Sequence, residues 1–185
     1  MSATVIVVLV VLVVLAGLAV GLYNGLVRRR NQVDAAWSQI EVQLKRRLDL
    51  IPNLVETVKG SASFERGALE AVISARSASL QAAPDPAAQA RADGALTGAL
   101  RQLFALSEAY PDLKSNASYL GLQEELSTTE SRIAYARQFY NDAVLAYRTA
   151  TQSFPGVLVA SAFNFGPRAH YDAEPEADAP PRVDF

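Results

Sequence analysis

Hydrophobic and polar positions fall into two regimes along this chain. From Val5 to Leu22 no residue is charged and nearly all are apolar. Beyond Arg30 the apolar residues recur at steps of three or four, with polar residues between them, as one face of a helix requires. Val33, Trp37, Ile40, Leu44, Leu48 and Ile51 form the first such stripe. No breaker separates it from the apolar run, so one helix is expected to continue through both. Pro52 is expected to end it, because proline disfavours helix in the residue before it and suits the first turn of a new helix.

A second stripe (Leu54, Val58, Ala62, Glu65, Leu69, Val72, Arg76) predicts a helix over about 53–81. Asp85 and Pro86 read as the N-cap and first-turn residue of a third, over about 86–110. Leu96, Ala99 or Leu100, Leu103 and Leu106 are expected to face inward there. "YPDLKSN" then interrupts the chain. The fourth helix, about 118–153, has the most regular spacing, from Tyr119 through Leu126, Ile133, Tyr140 and Tyr147 to Ala150. It reads as a bundle seam. The first helix occupies about 28–50 beyond the apolar run. Together these predict an all-α fold: an N-terminal transmembrane helix continuing into an antiparallel up-and-down four-helix bundle.

That topology places two corners together, 49–53 and 110–118, at the end far from the apolar run. Arg46, Arg47, Asp49, Asn53, Asp112, Lys114 and Asn116 are the candidate polar surface there. They are expected either to clasp one another or to present a face to a partner. Arg47 and Arg76 lie near core stripes, with Glu65 a candidate partner in a register-fixing ion pair. The apolar segment 154–166 has two readings, packing across the bundle end or contact with lipid. From Pro167 onward, four prolines and five acids against two arginines predict a flexible acidic tail.

Ala3–Leu22 is twenty residues, about 30 Å of helix, which matches a bilayer core. An uncleaved anchor over 1–27 is expected. The start lacks the basic residues of a signal peptide, although Ala19-Val20-Gly21 offers a small-x-small cleavage pattern. Arg28, Arg29 and Arg30 follow the run and no Lys or Arg precedes it. This places the N-terminus outside and the bundle in the cytoplasm. Gly17, Gly21 and Gly25 repeat a G-x-x-x-G spacing that lets a second membrane helix approach. Such spacing is also common in membrane helices that do not associate.

Composition then narrows the chemistry. The net charge of −2 and the mixing of basic with acidic residues give no nucleic-acid footprint. Cysteine is absent, so thiolate catalysis, disulfides and cysteine metal sites are excluded. The single histidine, His170, lies in the tail. A di-metal carboxylate bundle needs histidines on its helices, and the serines 61, 63, 74, 77 and 79 have no histidine base. There is no phosphate loop. No catalytic residue, cofactor, metal or small-molecule substrate is expected, so the chain reads as a non-enzyme.

"YNGLVRRRNQVDAAWSQIEVQLKRRLDLIPNLVETVKG" (23–60) closely resembles the leading motif of the LemA family. "AYPDLKSNASYLGLQEELSTTESRIAYARQFYNDAVLAYRTATQSFPGVLVASAFNF" (109–165) is similar to its second half, and "PPRVDF" to its usual ending. The resemblance covers nearly all of the chain after the apolar run and is weakest at 82–98. It implies a bacterial inner-membrane protein with one N-terminal span and a cytoplasmic helical bundle, and it supplies no catalytic residues. Three functions stay open. The first is a scaffold or adaptor that binds another protein. The second is a homo-oligomeric membrane organiser, and the last in order is an unrecognised hydrolase or metal protein.

Overall fold

A computed structural model describes residues 3–60 and 65–171. Among the described residues six helices occur in order: α1 (Ala3–Lys59), α2 (Arg66–Gln81), α3 (Pro86–Ser107), α4 (Pro111–Lys114), α5 (Ala117–Gln152) and α6 (Gly156–Ala162). No strand occurs among the described residues, and the fold is all-α. Ser61 and Ser63, and the acidic tail beyond Tyr171, lie outside the described residues.

The first correction concerns Pro52. It does not end a helix; it lies inside α1, which runs on to Lys59. A proline there removes one backbone donor and crowds the carbonyl four residues earlier, at a cost of about 3 kcal/mol. Two observations explain why α1 continues. Ile51, Leu54, Val55 and Val58 are all buried, so the stripe keeps helical spacing straight through the proline. The carbonyl orphaned by Pro52 is that of Leu48, and Arg76 Nε donates to it at 3.0 Å. The α2 arginine thus replaces the missing N–H. Arg76 pairs with backbone rather than with Glu65, which is exposed at the start of α2.

The other corners follow their caps. The Asp85 carboxylate accepts from Ala88 N at 2.9 Å and opens α3, with Pro86 in its first turn. Asn116 Oδ1 accepts from Ser118 N and Tyr119 N and opens α5. Between them α4 is one turn whose Leu113 plugs the core.

The chain forms two compact units, and α1 and α5 contribute to both. One comprises Gln39–Gln138 and Ala169–Phe185. Its core joins Leu54 and Val58 of α1, Leu69 and Val72 of α2, Leu96 and Leu103 of α3, Leu113 of α4 and Leu126 of α5. Cross-helix contacts give the directions. Arg76 meets Leu48 late in α2, while Arg47 meets Asp93 early in α3. Tyr119, at the start of α5, donates to Ser107 at the end of α3 at 2.6 Å. The four long helices α1, α2, α3 and α5 therefore alternate in direction.

The other unit comprises Met1–Ser38 and Phe139–Arg168. Here the Trp37 ring lies 5.6 Å from that of Tyr140. Arg29 Nη1 reaches the Ala146 carbonyl at 3.5 Å, and Ala150 packs on the cluster holding Leu26. As α1 is followed back, its partners advance along α5, so the two run antiparallel. The N-terminal part of α1 is long and apolar enough to cross a membrane, and its apolar side chains are exposed.

Candidate functional site

The seven candidate residues at 46–53 and 112–116 do not form a single clasp. Arg46 Nη2 donates to Glu125 Oε1 at 2.8 Å on α5. Lys114 Nζ donates to Glu108 Oε2 at 2.9 Å, which holds the Lys114 ammonium above its ordinary value. Asn116 is the α5 cap. Asp49, Asn53 and Asp112 are exposed. Among the described residues no ion pair joins the α1 members to the α4 members.

Arg47 must be removed from the surface set. Its side chain is 1% exposed and belongs to the core. Arg47 Nη1 donates to Asp93 Oδ1 at 2.7 Å, and Nη2 donates to Thr97 Oγ1 at 2.7 Å. Its Nε is buried with no hydrogen-bond partner among the described residues. Tyr171 is fully buried in this unit, with the Arg137 guanidinium 5.1 Å from its ring centre. Burial pushes the Asp93 carboxyl above its ordinary value; Arg47 and Arg137 oppose this and Glu130 adds to it. Burial also pushes the Tyr171 phenol up, and the nearby Asp93 charge acts in the same direction.

The pair joins α1 to α3 inside the core. A cavity of about 200 Å³ reaches Arg47 and Thr97, bordered by Arg101, Gln123, Ser127 and Glu130. It is smaller than sites for drug-sized ligands usually are. Among the described residues no group of three or more His, Cys, Asp or Glu could hold a metal ion. His170 stands half-exposed after α6. Asp93 was missed in the sequence, where Glu65 stood as the candidate partner; its signal is that it precedes Leu96 by three residues and so shares the inward face of α3.

The second feature surrounds α6, in the unit that holds the apolar run. Gly156, Val159 and Ala160 are buried, and α6 packs on Leu22 and Leu26 of α1. A Cβ on Gly156 would collide with the Ala150 carbonyl, so only glycine lets α6 lie across the end of α5. Asn164 takes a left-handed φ of 57° and Phe165 N donates to the Ala160 carbonyl at 2.9 Å. This is a Schellman-type C-cap, and it turns Phe165 back toward α1. The Tyr23 ring then meets Phe163 and Phe165 at 4.9 and 5.6 Å, and Arg30 lies 5.4 Å from the Phe165 ring centre. Tyr147 Oη donates to the Gly166 carbonyl at 2.9 Å, and Arg168 pairs with Asp34 at 2.9 Å.

Segment 154–166 therefore packs against its own unit on one face only. Phe154, Leu158 and Phe163 remain 80%, 60% and 62% exposed. Gly17, Gly21 and Gly25 also stand open, since a Cβ at any of them would meet nothing within 4 Å.

A model of the LemA family matches residues 36–185, most of the chain. The chain belongs to the LemA family. LemA-family relatives include the magnetosome protein MamQ of Magnetospirillum gryphiswaldense, 26% identical over 85% of this chain and 67% of that protein. MamQ 2 of Paramagnetospirillum magneticum is 27% identical over the same shares. Protein LemA of Metamycoplasma hominis is 28% identical over 73% of this chain and 62% of that protein. The chain thus spans about two thirds of the length of these relatives.

Proposed function

We propose that this LemA-family protein is a single-pass, membrane-anchored helical scaffold that binds another protein. The observation that carries the reading is α1 itself. One helix contains both a span-length apolar stretch and residues of the bundle core. The bundle interior is mainly apolar, with the Arg47–Asp93 ion pair and a few hydroxyl side chains among the apolar residues. The three arginines after the span favour a cytoplasmic bundle in the bacterial inner membrane.

The partner-binding surface is the exposed remainder of the candidate set: Arg46, Asp49, Asn53, Asp112, Lys114 and Asn116. Exposed ion pairs such as Arg46–Glu125 contribute at most about 1 kcal/mol, so they can be removed without unfolding the chain. Alanine at Arg46, Asp49, Asp112 and Lys114 together should leave helical circular dichroism unchanged and abolish co-purification of the proteins captured by the wild type. Unaltered capture would sink this surface.

Self-association through the Gly17, Gly21 and Gly25 face is a second reading, favoured by the open stripe at those positions. The mass of the full chain in lipid nanodiscs separates the two, since a monomer there removes the second.

A further inference from the structure

Leu26 packs in the same cluster as Ala150, and α1 and α5 run antiparallel. Leu22, where the apolar run ends, packs on the same cluster as Val159 and Ala160 of α6, and Phe154 lies two residues beyond the end of α5. Its ring is almost wholly exposed. Leu158 and Phe163 are exposed on the same short segment, whose Val159 and Ala160 are fixed to Leu22 and Leu26, while the Phe163 ring also meets Tyr23.

Charge is uneven in the same unit. It holds Arg28, Arg29, Arg30, Arg148 and Arg168 against Asp34 and Asp142, five positive to two negative or net +3, while the whole chain is −2. A cavity of about 530 Å³ opens between α5 and the α6 segment. Arg148, Arg168, Thr151, Gln152, Ser161 and Asn164 supply its polar wall, Val157 and Phe165 part of its apolar one, and no acidic residue lines it. Arginine guanidinium groups with amide and hydroxyl neighbours suit a phosphate, and adjacent apolar walls suit an acyl chain.

We propose that α6 is an interfacial foot on an anionic bilayer surface. Phe154, Leu158 and Phe163 enter the headgroup–acyl boundary, and the arginine-lined cavity takes the phosphodiester of an anionic phospholipid. Apolar residues at the interface and basic residues toward anionic headgroups are the two contributions such binding combines. The inference rests on the membrane-anchor reading above, and the experiment separates the two.

The absence of cysteine makes single-cysteine labelling clean. Full-length Leu12→Cys, Leu158→Cys, Phe163→Cys and Tyr135→Cys variants carry an environment-sensitive fluorophore in vesicles of phosphatidylcholine and phosphatidylglycerol. Lipids bearing a quencher at a shallow acyl position report depth. The labels at positions 158 and 163 should be quenched, that at 12 should lie deep, and that at 135 should stay aqueous. Aqueous labels at 158 and 163 with a buried label at 12 overturn the foot and leave the anchor standing. An aqueous label at 12 overturns both.

Arg148→Gln tests the cavity. By native mass spectrometry it should reduce retained phosphatidylglycerol about fivefold, the factor for one basic residue near an anionic surface. Retained phosphatidylcholine should not change, and inorganic phosphate should not displace the lipid. Equal retention by wild type and variant, or displacement by inorganic phosphate, contradicts a lipid headgroup site.

Discussion

Replacing Asp93 by alanine should destabilise the protein by about 3–5 kcal/mol, the usual cost of stranding one charge of a buried pair. Arg47 would remain at 1% exposure with Thr97 as its hydrogen-bond partner. The measurement is guanidinium unfolding of the full chain in detergent, followed by helical circular dichroism. The double variant Arg47→Met with Asp93→Leu should behave in the opposite way, with stability equal to or above wild type. The raised Asp93 carboxyl explains the difference: desolvation outweighs the attraction of Arg47 and Arg137. The folded state therefore holds that proton to a higher pH than the unfolded chain does. Wild-type stability should accordingly fall as pH rises from the ordinary carboxylate value of 3.8 through the raised one, and the double variant should lack this component. The pair fixes the register of α1 against α3 rather than adding net stability. A mild effect of Asp93→Ala would contradict that account.

Pro52→Ala should stabilise the chain, by up to about 3 kcal/mol, because it restores an N–H to the Leu48 carbonyl and removes the ring clash. Arg76→Met in the wild-type background should cost about 1–3 kcal/mol, since it leaves that half-buried carbonyl unpaired. The two changes should not add. In the Pro52→Ala chain the carbonyl has its own helical donor, so Arg76→Met should cost little beyond its lost packing. A double-mutant cycle from the same unfolding curves reads the coupling directly. Equal costs of Arg76→Met in both backgrounds would show that Arg76 does not substitute for the proline's missing donor.

These two sites mark where sequence reasoning reached and where it stopped. In the sequence Ile51 closes one stripe and Leu54 and Val58 open the next, because a local rule about proline placed a corner between them. The burial of four apolar side chains, together with one donor from a distant helix, outweighs that rule. Arg76 stood on a core stripe as expected, yet its partner is a backbone oxygen, which residue types cannot reveal. The Asp85 cap was easier, because its mechanism is local and complete within three residues; Asn116, read as a surface residue, caps α5 in the same way. The α6 foot was the least legible element. Seven residues carry no usable period, and the segment depends on one glycine for close approach and one asparagine for its left-handed turn. Of the surface set, Arg47 was misplaced because an arginine's stem and head read alike in a sequence, whether it snorkels or is buried.

Both the scaffold and the foot depend on the chain being anchored by its first helix, with the bundle in the cytoplasm. Cysteine accessibility in intact cells tests this most directly. With a membrane-impermeant maleimide, Ala3→Cys should be labelled from outside, and Tyr135→Cys only after the membrane is permeabilised. Labelling of Tyr135→Cys in sealed cells, with Ala3→Cys protected, would contradict the account.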